Sequence, residues 1–238
     1  MEIHSNYNSI TPPTAAALLA KDPTKLVKIL RLIGNWTGTF FSLSTDSRSA
    51  LKKIDTHLKD TNAIIKLVFF LPTFISLMSN LTNAKEHILN WLNVSNASTA
   101  TISQIAQDVI ANHIAPFFES TSDFIATLES LHIVNITEQL PIIQTIGGAA
   151  LFIMSAYQVQ NLVKRYFSGD TGGTYYLEVA KQASSIAISI LSVAAAFSTL
   201  PFLAPTILSL STISLFTGLY ISADKIEKEA ANHIAVPL

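Results

Sequence analysis

Between Lys181 and Asp224 the chain carries no charged residue for 42 positions, and Pro201 and Pro205 stand near the middle of that run. A segment of this kind has few physical outcomes. A transmembrane helix needs about 20 mostly apolar residues. The two prolines cut the run into stretches of roughly 17 and 20 residues, each about 25 to 30 Å long at the helical rise per residue. Proline ends or kinks the helix it interrupts, so "TLPFLAP" reads as a turn between antiparallel helices. The expectation is a hydrophobic helical hairpin over residues 183–223. Ser185, Ser189, Ser192 and Ala196 recur at helical spacing along it, as do Ser211, Ser214, Gly218 and Ser222. In lipid, small residues let backbones approach and hydroxyls bond across, which makes these eight the expected helix-pairing stripe.

Two shorter uncharged runs precede the hairpin, 18 residues at 67–84 and 25 at 139–163. The longer one, "PIIQTIGGAALFIMSAYQVQNLVKRYF", starts at Pro141 and ends on Tyr157, Lys164, Arg165 and Tyr166, the residue types that anchor a helix leaving the bilayer. Residues 139–163 are therefore read as a span. Pro72 breaks the run at 67–84 and its second half is polar, so it is a candidate span or an interfacial segment. Composition agrees with this placement. Charged residues make up 13% of the chain and the mean hydropathy is +0.41, whereas a soluble domain carries roughly 25% charged residues. The fold class expected is all-α: a polytopic helical membrane protein, of three or four spans, with a C-terminal hydrophobic helical hairpin.

Charge asymmetry orients the spans. Residues 1–66 hold nine Lys/Arg against five Asp/Glu, and residues 67–138 hold one against six. Under the positive-inside rule the N-terminal part stays cytoplasmic, the acidic segment 85–138 crosses, and the loop 164–182 and the tail 224–238 return. The net charge of −1 offers nothing to nucleic acid, which is not expected as a partner. The lipid bilayer is, together with protein partners on the cytoplasmic side or a second copy of the chain.

Outside the spans the pattern is amphipathic helix. Residues 1–20 are rich in Ser, Asn and Thr around Pro12 and Pro13, and read as a flexible leader. In residues 21–66, "TKLVKILRLIGNW" sets Leu26, Ile29, Leu30 and Ile33 on one face and Lys25, Lys28 and Arg31 on the other. "SRSALKKIDTHLKDTNAIIKL" forms a second stripe on Leu51, Ile54, Leu58 and Ile65. Lys25, Lys28, Arg31, Lys52 and Lys53 are the residues expected against an anionic membrane surface. Residues 93–103 read as a loop. Helices are expected from about Ser103 to Phe118 and from Ser120, whose spacing to Asp123 is a capping-box variant. The sequons at Asn93, Asn96 and Asn135 arise readily by chance in a chain so rich in Asn, Ser and Thr.

Reaction chemistry is not legible. The chain has no H-E-x-x-H, G-x-S-x-G, Walker or G-x-G-x-x-G motif. It has no cysteine, and its six histidines lack metal-ligand spacing. "SGDTGGTYY" at 168–176 fits a turn rather than a phosphate loop. No enzyme activity, catalytic residue, metal or cofactor is expected. The spans themselves carry no Asp, Glu, Lys or Arg, which disfavours ion-coupled transport.

Residues 183–223, with the Ser/Thr-rich start at 1–20, resemble the chlamydial-type inclusion membrane proteins in their bilobed hydrophobic domain and in the absence of a cleaved signal. That resemblance implies a secreted bacterial effector placed in a vacuolar membrane, its ends recruiting host proteins. Here, though, the hairpin is near the C-terminus and other apolar segments precede it. A weaker resemblance, carried by the basic stretches "TKLVKILRLIGNWTGTFF" and "LKKIDTHLKDTNAIIKL" ahead of the apolar segments, is to the peroxins that elongate peroxisomes. It implies membrane remodelling. An α-helical pore-forming protein, which hides an apolar hairpin in a helical bundle until it meets a membrane, is the third reading.

Overall fold

The computed structural model of the chain describes residues 23–92, 99–198 and 202–234, and every regular element among them is helical. The leader at 1–20, Pro201 of the hinge, and Asn93 and Asn96 lie outside the described residues. In chain order the elements are α1 (Pro23–Phe40), α2 (Thr45–Leu92), α3 (Thr99–Val109), a π-helical turn (Ile110–Ile114), α4 (Ala115–Ser130), α5 (Leu140–Phe167), α6 (Tyr175–Phe197) and α7 (Leu203–Ile234).

Local chemistry sets these boundaries. Ser44 caps α2, its Oγ accepting the Ser47 N–H at 3.3 Å and its carbonyl accepting the Arg48 N–H at 2.9 Å. Pro72 lies within α2, where it removes a backbone donor and crowds the preceding turn. The axis bends by 47° between Thr45–Phe70 and Phe74–Asn83. The π turn lies just ahead of Pro116, and in it the Ala115 N–H reaches back to the Ile110 carbonyl. Widening that turn gives the proline ring room against the carbonyl four residues before it.

Four expectations are corrected. Ser120 does not start a helix; it stands inside α4, because the π turn absorbs Pro116 and residues 99–130 continue unbroken, which also makes Thr99–Ser103 helical rather than loop. The loop expected at 164–182 is only 168–174. Lys164 and Arg165 suit the last turn of α5 and Glu178 the first turn of α6, each matching the sign of the helix dipole there. The tail expected from 224 is helical to Ile234, supported by a Lys228–Asp224 pair at 2.6 Å one turn apart.

The loop 168–174 is tightly built. Arg165 bonds Asp170 through Nε at 3.0 Å and Glu178 through Nη1 at 2.6 Å, and lies over the Tyr175 ring. The buried Tyr175 hydroxyl donates to the Leu162 carbonyl at 3.1 Å. Two helices end in the same hydrogen-bond pattern. After α4, Ile133 N–H bonds the Leu128 carbonyl and His132 N–H that of Glu129; after α5, Asp170 bonds Arg165 and Gly169 bonds Tyr166. Both are Schellman motifs, which put the residue after the cap in the left-handed region. Gly169 takes φ 79° without strain, but His132 holds φ 56° with a side chain attached.

Packing follows chain order and then closes. α1 lies on α2, α2 on α4, α4 on α5, α5 on α6, α6 on α7, and α7 returns to α1. Most joints have a named contact. Arg31 pairs with Asp55 at 3.0 Å, Lys66 with Asp123 at 2.6 Å, and the Phe70 ring stacks on Phe124. Tyr157 of α5 donates to Asp108 of α3 at 2.7 Å. Ser185 and Ser214 bring their hydroxyls within 3.4 Å across the hairpin, and Trp36 Nε1 donates to Thr212 at 3.0 Å to close the ring. At the α5–α6 joint a Cβ added to Gly148 would stand 2.8 Å from Val193 Cγ2 and 3.3 Å from the Ser189 carbonyl, so only glycine permits that approach.

Burial in this ring is mixed. Beside buried alanines and a few larger apolar residues such as Leu77, Leu162 and Leu203, the buried positions include Ser122, Thr127, Ser155, Ser184, Ser185 and Ser189, whereas Val68, Phe69, Ile75, Ile190 and Phe216 are all more than half exposed. Three helices are long and apolar enough to cross a membrane: Leu140–Phe167, Tyr175–Phe197 and Pro205–Lys228. The bent α2 adds a fourth if Thr45–Phe70 and Phe74–Asn83 act as one span. The chain is thus all-α, with three C-terminal apolar helices capable of spanning.

Two stability measurements follow. In thermal unfolding of the detergent-solubilised chain, His132→Gly should stabilise and Gly169→Ala should destabilise, each by about 1 kcal/mol, because only the left-handed residue changes. Gly148→Ala should lower stability by about 1 to 3 kcal/mol despite the better helix propensity of alanine; an unchanged midpoint would show that α5 and α6 are not in close contact.

Candidate functional site

The residues singled out in the sequence do not form one membrane-facing patch. Lys25, Lys28 and Arg31 are carried by α1, whose apolar face points outward: Leu26, Leu30 and Ile33 are exposed. The basic residues border a groove toward α6 and α7, with Lys25 and Arg31 half-buried and Lys28 exposed. There Lys25, Lys28, Arg31 and Lys181 line a cleft of about 750 Å³ with Ser211, Ser214, Gly218 and Ser222, half of the expected pairing stripe. The other two cations, Lys52 and Lys53, lie apart from it on the exposed N-terminal half of α2. The two expectations, a basic helix and a small-residue stripe, meet in one site.

The cleft is two-sided in chemistry. Its cations come from α1 and from the first turns of α6, and no carboxylate lines it among the described residues. Arg31 is held by Asp55 at 3.0 Å. The Lys181 stem lies over Gly218, its Cε 3.6 Å from where a Cβ would be, so the absence of a side chain at 218 makes room for the lysine. Ser222 donates to the Gly218 carbonyl at 2.9 Å, an ordinary bond for a serine inside an apolar helix. Ile188, Leu208, Leu215 and Leu219 supply the apolar wall.

The remaining stripe residues face elsewhere. Ser189 and Ser192 line a second cavity, of about 560 Å³, with Ala196, Gly147, Gly148, Ser122, Glu119 and Asp123. Ser185 alone pairs across the hairpin, with Ser214. Ile207 lines both cavities and stands between a basic and an acidic interior.

Glu119 and Asp123 are the functional-type residues that sequence reasoning missed. They belong to a segment read there as an acidic, non-spanning stretch, yet α3 and α4 run beside α5, pairing Asp108 with Tyr157 and setting Ser122 against Gly147. Burial raises the Glu119 carboxyl above its ordinary range, the Asp123 charge adds to this, and Lys66 and Lys28 pull it back. The only signal in the sequence was the charge pattern of 119–123 itself, and its partner Lys66 is too distant in the chain to be inferred. No group of three or more His, Asp or Glu among the described residues could hold a metal ion.

The sign of the Glu119 effect can be tested. A carboxyl with a raised folded-state pKa contributes stability that is present below its unfolded pKa and lost as pH rises through the folded one. Glu119→Gln should therefore leave the unfolding midpoint near that of the parent at about pH 4. It should raise the midpoint increasingly toward pH 8, and a difference constant with pH would refute the burial argument.

Comparison with protein-family models, with curated proteins and with solved structures gives no match to this chain.

Proposed function

We propose that the chain is a multi-pass membrane protein held in the bilayer by α5, α6 and α7, working without catalysis as a membrane-anchored platform for other proteins. One observation carries this reading. Of the apolar windows of these helices, only 11%, 11% and 6% are buried within the protein. Apolar surface left in water costs about 25 cal/mol per Å², and lipid is the cover that removes that cost on all three helices at once.

The platform is the N-terminal half of α2, where Asp46, Arg48, Lys52, Lys53 and Lys59 are exposed. A mixed-charge helical face of this kind suits recognition by protein partners or a second copy, with specificity set by charge complementarity. The hairpin of α6 and α7 supports the further expectation of a secreted effector in a vacuolar membrane. Remodelling by an outward basic face is disfavoured because Lys25 and Arg31 are half-buried along the cleft, which leaves only Lys28 of the three exposed. The pore-forming reading keeps one observation in its favour, the hydroxyl-lined interior between α4, α5 and α6. Release of an entrapped dye from liposomes by the whole chain would select it.

The chain has no native cysteine, so single reporters can be placed at will. Asn135→Cys and Ser168→Cys flank α5, and both positions are exposed. With the protein in sealed vesicles, an impermeant maleimide should label the two from opposite sides. Labelling of both from one side, with release of the protein by alkaline carbonate, would overturn the spanning reading.

A further inference from the structure

We propose that the cavity between α4, α5 and α6 binds a small primary alkylammonium ion, with the ammonium among Glu119, Ser122 and Ser189 and the alkyl part along Leu151 and Ile207. All five residues line the cavity, and its volume of about 560 Å³ is in the range of sites that enclose a small molecule. The charged residues of its lining are Glu119 and Asp123, with no lysine or arginine beside them. Asp123 is exposed and already taken, since Lys66 bonds both of its carboxylate oxygens at 2.6 Å. Glu119 is half-buried and has no ion pair among the described residues; its hydrogen-bond contact is the hydroxyl of the adjacent Ser120 at 3.5 Å. The cavity thus holds one carboxyl whose counter-charges, on Lys66 and the exposed Lys28, act on it without pairing with it.

Ser122 points to a ligand independently of that carboxyl. It is only 8% exposed, it lines the cavity, and its hydroxyl makes no hydrogen bond among the described residues. Thr127, on the same helix, instead donates to the Asp123 carbonyl at 2.7 Å. A buried hydroxyl without a partner costs free energy that a bound donor removes. Its place is built into the joint: a Cβ on Gly147 would stand 3.0 Å from Ser122 Cβ, so glycine there lets the serine in. Ser189, 2% exposed, donates to the Ile186 carbonyl at 2.7 Å, and its oxygen keeps acceptor capacity. A carboxylate and two hydroxyl oxygens form a set of acceptors, and an ammonium group carries only donors. Burial makes the Glu119 charge costly, and a cation in contact with it offsets that cost. A bare ion would leave most of the volume unfilled, whereas Leu151, Ile207 and the lining alanines cover an alkyl chain.

The site goes beyond the platform reading and does not depend on topology. Its probe is n-butylammonium chloride, added at constant ionic strength and neutral pH to the full chain in a neutral detergent, with binding read from the rise of the unfolding midpoint with concentration. A dissociation constant of about 1 mM is expected, within the ceiling for a molecule of this size. n-Butanol, which lacks the charge, and tetramethylammonium, which lacks N–H donors, should each bind about tenfold more weakly. Glu119→Gln should weaken butylammonium about tenfold and Ser122→Ala about fivefold, the loss of roughly one hydrogen bond. Glu138→Gln removes an exposed carboxylate outside the cavity and should change nothing. Ala196→Phe, which fills the cavity at constant charge, should block binding. Glu119→Asp keeps the charge and should keep the preference for butylammonium over butanol, which separates a lost site from a misfolded variant. Equal binding of the three probes, or equal weakening by Glu119→Gln and Glu138→Gln, would overturn the site. Selective binding combined with one-sided maleimide labelling would keep the site and remove the spanning reading.

Discussion

Most of the apolar surface of α5, α6 and α7 is left uncovered by the described residues, and the other features of the structure adapt to that fact. A soluble bundle of this length buries its large aliphatic and aromatic side chains and exposes its hydroxyls. This ring departs from that: it leaves many large apolar side chains exposed and buries serines and threonines beside alanine, valine and leucine, and side-chain hydrogen bonds and ion pairs link nearly every joint. Where lipid is the solvent, apolar burial gives helices no reason to associate, and such polar and close-packed contacts are what remains to hold them.

The helices that carry charge become intelligible on the same terms. α3 and α4 run beside an apolar helix, so their carboxylates need partners. Asp108 receives the hydroxyl of Tyr157 and the amide of Asn112, and Asp123 receives Lys66. Glu119 meets the problem differently, by holding its proton more tightly. Taking a carboxylate out of water costs less when it is paired or holds its proton more tightly, and both effects act within five residues here.

Legibility in the sequence divides along this line. The hairpin was readable because 42 uncharged positions admit few structures, and the helical class followed from spacing and composition. What periodicity does not encode is direction. The α1 pattern separates Leu26, Leu30 and Ile33 from Lys25, Lys28 and Arg31, but the same pattern serves whether the apolar side meets a protein core or lipid. The serine stripe was equally silent about which neighbour it would face. Ser185 meets Ser214, Ser189 turns toward Gly148, and Ser211 lines the cleft, because helical spacing drifts across faces and each helix here has two neighbours. Helix ends were misjudged where side chains far along the chain, such as Glu178 for Arg165, fix them.

A surface this rich in exposed apolar residues also changes how such a chain tolerates substitution over generations. On the outer surface, where no neighbour of fixed shape within the described chain covers them, Val68, Ile75, Ile190 or Phe216 can exchange for other apolar residues with little consequence. Inside, Ser189 or Gly148 has almost no substitute, since volume is limited where Gly148 approaches Val193 and the Ser189 carbonyl. Two descendants of one ancestor would thus diverge first at their large hydrophobic positions and keep their small ones. Sequence comparison weighted toward conserved aliphatic cores would score them as unrelated long before the ring itself had changed.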